Sequence, residues 1–260
     1  MSEPIPVLEY RLSARYGSVT VLHDIAGRIE AGEIVALVGL SGSGKSTLAL
    51  ALLRLLAYRG GEATGSIRLE GTELCGLNER EMRAVRGKRV GYVPQSPASA
   101  LNGKLRVETL LEETWRAHVN RPAPEGAYAA LLKSVQLEDD AAFLKRRAGG
   151  LSMGQGQRLL TALAVMHNPA LLIADEPTSS LDPITQAKLL ELFVELNRSR
   201  GTAMLFISHD LSSVAAIGSR VDILDDGRIV ESGTPREIFR NPRHPFTQKM
   251  VAAIPRHPTG

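Results

Sequence analysis

Apolar runs and segments with helical periodicity alternate along most of the chain. Residues 34–38 and 171–174 are entirely apolar, which is typical of strands buried on both faces of a parallel sheet. Residues 47–58 contain six leucines and predict a largely buried helix. This alternation predicts an α/β fold with a mostly parallel sheet and helices on both faces.

Weaker patterns predict the remaining elements. Residues 7–30 alternate in short segments broken at Gly17 and Gly27, which indicates β-structure. Residues 97–150 mix loop residues with helical patterns and contain no convincing strand, so we expect a helical insertion there. Further strands are predicted at 66–70, 90–93, 203–207, 221–224 and 228–231, and further helices at 107–118, 127–135, 183–198 and 211–217.

Composition excludes several classes of protein. Hydrophobic residues make up 43% of the chain and charged residues 23%, as in ordinary globular proteins. The net charge of +3 and the single basic cluster at 145–147 are too weak to predict nucleic-acid binding. No apolar run approaches the roughly 18 residues of a membrane span, the N-terminus has no secretion signal, and Cys75, the one cysteine, cannot form an internal disulfide. We therefore expect a cytoplasmic protein.

Residues 39–47, GLSGSGKST, match the phosphate-binding pattern G-x-x-x-x-G-K-[ST] between a predicted strand and a predicted helix. The glycines let the backbone amides face inward, and the helix N-terminus adds partial positive charge. Lys45 would reach the β- and γ-phosphates, and the Ser46 hydroxyl would bind Mg²⁺. A chance Gly/Ser turn that caps a helix is the simpler alternative. The predicted nucleotide-binding residues of this loop are Gly39, Ser41, Gly42, Ser43, Gly44, Lys45, Ser46 and Thr47.

Two carboxylates, Asp175 and Glu176, follow the apolar run 171–174. Ligands bind at the carboxyl ends of parallel strands in α/β folds. Asp175 would hold Mg²⁺ directly or through water, and Glu176 would orient and polarise the attacking water. The pair could also be two surface residues, but the phosphate loop favours the functional interpretation.

Several further motifs occur in a fixed order along the chain. They are LSMGQGQR at 151–158, SSLD at 179–182, ISHD at 207–210, YVPQ at 92–95 and an aromatic residue at Tyr16. Together with the phosphate loop and the acidic pair, they resemble the nucleotide-binding subunits of ABC transporters. The resemblance covers residues 7–240.

That resemblance implies a P-loop NTPase fold of the RecA-like type. It also implies an N-terminal antiparallel β subdomain and an inserted α-helical subdomain. We expect an ATPase domain at 1–240 with the insertion at about 97–158, and a short C-terminal tail at 241–260. The implied ligands are ATP and Mg²⁺.

The resemblance also assigns roles to individual residues. Ser152, Gly154 and Gln155 of the signature motif would meet the γ-phosphate of ATP on a partner subunit, so that a complete site needs two chains. Asp182 would belong to the D-loop.

Three more residues receive roles at the nucleotide. His209 would hold the γ-phosphate and the attacking water, Gln95 would touch Mg²⁺ or water, and Tyr16 would stack on adenine. Taken alone, Ser152 is a plain helix N-cap, His209 a hydrogen-bonded surface group and Tyr16 a strand-edge aromatic.

The signature departs from the family pattern at two positions. Met153 replaces the usual first glycine, and Gly156 stands where a basic or polar residue is common. Ser152 and Gly154 are kept, so we expect the site to close. We expect Met153 to affect how fast the partner's ATP is hydrolysed.

Residues 241–255, NPRHPFTQKMVAAIP, and 92–102, YVPQSPASALN, resemble the oligopeptide, dipeptide and nickel import ATPases. This subfamily implies two membrane permease subunits, a second ATPase subunit and an external solute-binding protein as partners, and no nucleic acid. It also implies a peripheral location on the cytoplasmic face of the inner membrane. The alternatives are an ATPase of a soluble complex, either nucleic-acid-associated or related to phosphonate degradation, and a catalytically silent binder.

Overall fold

The computed structural model describes residues 5–254, which form two compact units. One unit comprises residues 5–76 and 204–254, and the other comprises residues 77–203. Residues 255–260 of the predicted tail lie outside the described residues, as do residues 1–4 of the predicted ATPase domain.

The strands and helices appear in the following order along the chain. The strands are β1 (Leu8–Tyr16), β2 (Val19–Ile29), β3 (Ile34–Val38), β4 (Gly61–Leu69), β5 (Thr72–Glu73), β6 (Val90–Val93), β7 (Leu171–Asp175), β8 (Ala203–Ser208), β9 (Arg220–Asp225) and β10 (Arg228–Gly233). The helices are α1 (Lys45–Leu52), α2 (Glu79–Val85), α3 (Pro97–Ala100), α4 (Val107–Arg116), α5 (Ala127–Ser134), α6 (Ala141–Lys145), α7 (Met153–Val165), α8 (Pro183–Arg200), α9 (Leu211–Ile217), α10 (Pro235–Arg240) and α11 (Pro245–Ala252).

The first unit contains an antiparallel sheet and a set of mostly parallel strands. The antiparallel sheet has the order β2-β1-β4-β5. In the other set β3 pairs in parallel with β8 and with β9, and β10 adds to β9 in antiparallel fashion. The predicted α/β fold with a parallel-rich sheet and an N-terminal antiparallel sheet is confirmed.

The core of this unit lies around β3. All five residues of β3 are buried, and so are the six residues of β8. Ala36 and Val38 pack in one cluster with residues of α9, β9 and α10, whose buried members include Val214, Ile223 and Ile238. The phosphate loop therefore leaves a fully buried strand whose end is fixed by packing.

The second unit contains β6 and β7, which pair in parallel, and the helices from α2 to α8. Within residues 97–150 the chain forms helices and no strand, apart from one isolated bridge between Arg106 and Arg147. The pattern-based expectation for this region is confirmed. The insertion boundaries at 97–158 and the domain boundary at 240 stay predictions.

Two local predictions were wrong. Gly27 does not break the N-terminal β-structure but lies inside β2, where a Cβ would come within 2.5 Å of Tyr10 Oη. The helix predicted over 47–58 ends at Leu52, because Arg54 adopts a left-handed backbone with φ of 52°. A short 3₁₀ helix, Leu56–Arg59, follows.

Candidate functional site

The phosphate loop joins β3 to α1 through glycines whose conformations other residues rarely adopt. Gly42 has φ of 84° and Gly44, the N-cap of α1, has φ of 106°; both lie in the region that favours glycine. Gly39 is required by space, because a Cβ there would lie 2.3 Å from the Leu224 carbonyl oxygen. The three glycines of the motif are therefore each required by backbone conformation or by space.

Lys45, the first residue of α1, is buried with 5% exposure. Its Nζ donates hydrogen bonds to the carbonyl oxygens of Gly39 and Leu40, both at 2.9 Å. This positive charge lies at the N-terminus of α1, where a negatively charged ligand is favoured. Ser46, next in the chain, is exposed, and Thr47 is half-buried.

Ser43 provides a test of whether the loop fits a phosphate. Its Oγ is buried and, within residues 5–254, has no hydrogen-bond partner. Such orphan polar atoms need an explanation, and a ligand is one. The amides of a loop at a helix N-terminus, the buried Lys45 ammonium and this hydroxyl together form a donor set that fits phosphate oxygens. Ser41 is exposed on the same loop.

Two further predicted residues lie in the first unit. Tyr16 is the last residue of β1 and is half-buried; a Cβ on Gly61 would come within 2.8 Å of its ring. His209 follows β8 and is exposed. Its neighbours are fixed, because Ser208 Oγ accepts a hydrogen bond from the Asp210 amide at 3.0 Å.

The acidic pair lies at the end of β7 in the second unit. Asp175 is buried, with 5% exposure, and accepts a hydrogen bond from Tyr92 Oη at 3.4 Å. Glu176 has a left-handed backbone with φ of 46°, a conformation that is uncommon for a residue other than glycine. Its carboxylate accepts a hydrogen bond from Gln95 Nε2 at 3.1 Å. The structure thus brings Gln95 and Glu176 together, as the resemblance implied for one site.

The signature residues form the start of α7. Ser152 is the N-cap: its Oγ accepts from the Gln155 amide at 3.2 Å, and Gln155 Oε1 accepts from the Ser152 amide at 3.1 Å. This reciprocal capping box fixes the first turn. Gly154 packs closely, since a Cβ there would lie 2.8 Å from Thr185 Cγ2. The N-cap interpretation of Ser152 is confirmed, and its action on a partner's ATP stays a prediction.

Asp182 is the N-cap of α8. Its Oδ1 accepts from the amides of Thr185 at 3.0 Å and Ile184 at 3.1 Å. Hydrogen bonds from Thr185, with a smaller one from Ile184, hold the pKa of Asp182 below its usual value. Asp182 therefore stays ionised and defines where α8 begins.

Comparison with known proteins decides the family. The family model described as "ABC transporter" matches residues 22–179, more than half of the 260 residues. The chain belongs to the ABC transporter family. As an ABC-type ATPase, it binds and hydrolyses ATP.

Individual relatives of this ABC ATPase agree with the family match. A Brucella melitensis protein named for peptide import and ATP binding is 41% identical over 259 residues, covering 95% of this chain and 75% of the relative. The oligopeptide transport ATP-binding protein OppD of Bacillus subtilis is 38% identical over 242 residues, covering 92% of this chain and 68% of the relative.

A solved ATP-binding subunit of an ABC transporter is 29% identical, with a TM-score of 0.74. The match covers 95% of this chain and 98% of that one. Among the helices of residues 5–254, none combines the length and the apolar character that crossing a membrane requires.

Sequence reasoning missed two residues of the ABC cassette. The sequence marks Tyr92 only as part of YVPQ, yet its hydroxyl donates a hydrogen bond to Asp175. Gln157 was given no role, yet it is 1% exposed and its Nε2 donates to the Pro94 carbonyl at 3.2 Å, next to Gln95. No local pattern in the sequence distinguishes either residue, because each is identified by a contact with a distant segment.

The structure also accounts for Gly156, one of the two departures from the family pattern. A Cβ at Gly156 would lie 2.9 Å from Pro97 Cβ, so the start of α7 and the start of α3 approach closely because this residue has no side chain. Met153, the other departure, is 42% exposed.

Proposed function

We propose that this chain is the ATP-hydrolysing subunit of an ABC importer for peptides. The observation that supports it best is the similarity over nearly the whole chain to relatives named for peptide and oligopeptide transport. The resemblance of residues 241–255 and 92–102 to oligopeptide, dipeptide and nickel importers agrees with it. We favour peptides because the relatives above are named for them.

The nucleotide would be held mainly by the phosphate loop, Gly39 to Thr47. Lys45 would pair with the β- and γ-phosphates, and Tyr16 would stack against adenine. Ser46 and Asp175 provide the hydroxyl and carboxylate oxygens that Mg²⁺ prefers, with Gln95 as a further oxygen ligand. When bound, the metal would neutralise charge on the phosphates.

Hydrolysis would depend on a carboxylate and an imidazole. Glu176 would orient the attacking water and polarise it as a general base. His209 would hold the water and the γ-phosphate through its ring nitrogens. Gln95, which contacts Glu176, would report the presence of the γ-phosphate to the helical segment that follows it.

A complete site would need two ATPase subunits. Ser152, Gly154 and Gln155 at the start of α7 would contact the γ-phosphate bound by the partner, and Asp182 would lie at the same interface. Binding of ATP would close the pair and hydrolysis would reopen it, driving alternating access in the membrane subunits.

If the chain belongs to an importer, the proposal implies further partner proteins. They would be two membrane permease subunits, a second ATPase subunit and an external solute-binding protein. The chain would sit peripherally on the cytoplasmic face of the inner membrane.

Affinity purification from gently solubilised membranes tests this proposal. Recovery of two permease subunits and a second ATPase with the chain is the expected result. Recovery of soluble enzymes alone would contradict the importer and favour an ATPase of a soluble complex.

A further inference from the structure

The Ser179 hydroxyl joins the side chain of Gln95 to the backbone of Glu176. Gln95 Nε2 donates to Ser179 Oγ at 3.3 Å and to Glu176 Oε2 at 3.1 Å. Ser179 Oγ in turn donates to the Glu176 carbonyl oxygen at 3.1 Å. The three residues therefore form a closed ring of hydrogen bonds around the carboxylate.

The donors and acceptors of this ring balance. The Gln95 amide has two hydrogens, one for the carboxylate and one for the Ser179 oxygen. The single hydroxyl hydrogen of Ser179 then goes to the Glu176 carbonyl. An alanine at 179 would remove both the acceptor for Gln95 and the donor to Glu176, so only the hydrogen bond to the carboxylate would still orient the amide.

The same hydroxyl supports an uncommon backbone. Glu176, with φ of 46°, precedes Pro177, which further restricts its conformation. The turn is closed by the Ser179 amide, which donates to the Glu176 carbonyl at 3.2 Å, and by Ser179 Oγ on the same oxygen. Left-handed backbones of this kind persist where the surroundings hold them, often at functional sites.

We infer that Ser179 is a positioning residue for ATP hydrolysis, which sets the direction of the Glu176 carboxylate and keeps Gln95 beside it. This inference rests on the proposed role of Glu176 as the group that polarises water. Ser179 acts on hydrolysis through Glu176 and Gln95. It takes no part in binding ATP, which is the role proposed for the phosphate loop.

Steady-state ATPase kinetics of Ser179→Ala test the inference. Losing the hydrogen bonds of one hydroxyl predicts a fall in kcat of about five- to tenfold, with KM for ATP within about twofold of the unchanged chain. Ser179→Thr keeps a hydroxyl and is expected to retain most of kcat. In a Gln95→Ala background, Ser179→Ala is expected to lower kcat by a much smaller factor, because the ring of hydrogen bonds is already broken.

Ser199→Ala is the matched control. Ser199 is an exposed serine on α8 whose Oγ also donates to a backbone carbonyl, that of Glu195 at 2.7 Å. It is expected to leave kcat and KM unchanged.

Three results would each overturn the inference. The first is an unchanged kcat in Ser179→Ala. The second is a fall in kcat in Ser179→Thr as large as that in Ser179→Ala. The third is that Ser179→Ala lowers kcat by the same factor in the Gln95→Ala background as in the otherwise unchanged chain. The importer proposal is tested by a different experiment, the affinity purification above. If the chain copurified with soluble enzymes alone, the importer proposal would fail, but the kinetics expected for these variants would not change.

Discussion

The buried ammonium of Lys45 is the strongest single sign of a ligand at the phosphate loop. Two of its hydrogen bonds go to neutral carbonyl oxygens, which stabilise a buried positive charge less than an anion does. A phosphate would supply that anion at the helix N-terminus, where negative charge is already favoured.

Lys45→Ala is expected to lower ATP affinity by roughly tenfold or more, since hydrogen bonds to charged groups contribute about 1.5–3 kcal/mol. Isothermal titration calorimetry with ATP measures the change. Lys133→Ala, at an exposed lysine on α5, is the control and should bind ATP normally. Unchanged binding by Lys45→Ala would contradict the loop as the phosphate site.

Glu176→Gln separates binding from chemistry. The amide oxygen can still accept the hydrogen bond from Gln95, but it is too weak a base to polarise water, so turnover should fall by at least about a hundredfold. Nucleotide affinity should be retained and the closed pair should accumulate with ATP, as seen by gel filtration. Undiminished hydrolysis would rule out the role given to Glu176.

At the scale of elements, the start of α7 is held close to α3. Gly156 allows this contact, because its missing Cβ would lie 2.9 Å from Pro97 Cβ, and Gln157 adds a bond to the Pro94 carbonyl. The signature helix and the segment after Gln95 are therefore packed together through small and buried residues.

Gly156→Val should lower the free energy of unfolding by about 1–3 kcal/mol, as overpacking does. Urea unfolding measures it. Ala130→Val, at an exposed helical position on α5, controls for the lower helix propensity of valine. Equal stability of both variants would show that α7 and α3 do not need this close approach.

The β4–β5 hairpin is held by one carboxylate. Glu73 accepts hydrogen bonds from the Ser66 hydroxyl, the Ile67 amide at 3.1 Å and the Cys75 amide at 3.0 Å. Burial raises the pKa of Glu73, but the hydrogen bonds outweigh that effect and lower the pKa to about 2. The ionised carboxylate therefore stabilises the fold above pH 4.5, its ordinary pKa, and this contribution is lost as the pH falls toward about 2.

Glu73→Gln should accordingly have a free energy of unfolding about 1 kcal/mol lower than that of the unchanged chain at pH 7. This difference in unfolding free energy should become smaller below pH 4.5. Urea unfolding at pH 7 and pH 3.5 tests this. Glu9→Gln, at an exposed position on β1, should show no such pH-dependent loss. A difference that stays constant with pH would mean that the charge of Glu73 does not matter.

Long apolar runs predicted their elements well, because burial on both faces allows few alternatives. β3, β7 and β8 were all placed within a residue of their ends. The end of α1 could not be predicted, since the left-handed turn at Arg54 is supported by a distant contact, a hydrogen bond from its guanidinium to the Leu74 carbonyl at 2.7 Å.

Among the candidate site residues too, local patterns are informative and contacts between distant segments are not visible in the sequence. Motifs predict roles for Lys45, Asp175 and Glu176, because their chemistry is tied to fixed spacing. Tyr92 and Gln157 depend on contacts between segments far apart in sequence, and no local pattern marks them.

At the scale of the whole molecule, each of the two units carries residues of the predicted ATPase chemistry. The first unit carries the phosphate loop, Tyr16 and His209, and the second carries Gln95, the acidic pair and the signature. ATP hydrolysis at these groups is proposed to drive peptide import through membrane partners.

Uptake of a labelled oligopeptide by cells that lack this chain tests that claim most directly, with each variant supplied back in turn. The unchanged chain and Lys133→Ala are expected to restore uptake. Glu176→Gln should restore none, although it assembles with the membrane subunits in equal amount. Normal uptake with Glu176→Gln, or no uptake with the unchanged chain in an assembled complex, would contradict peptide import driven by ATP hydrolysis in this chain.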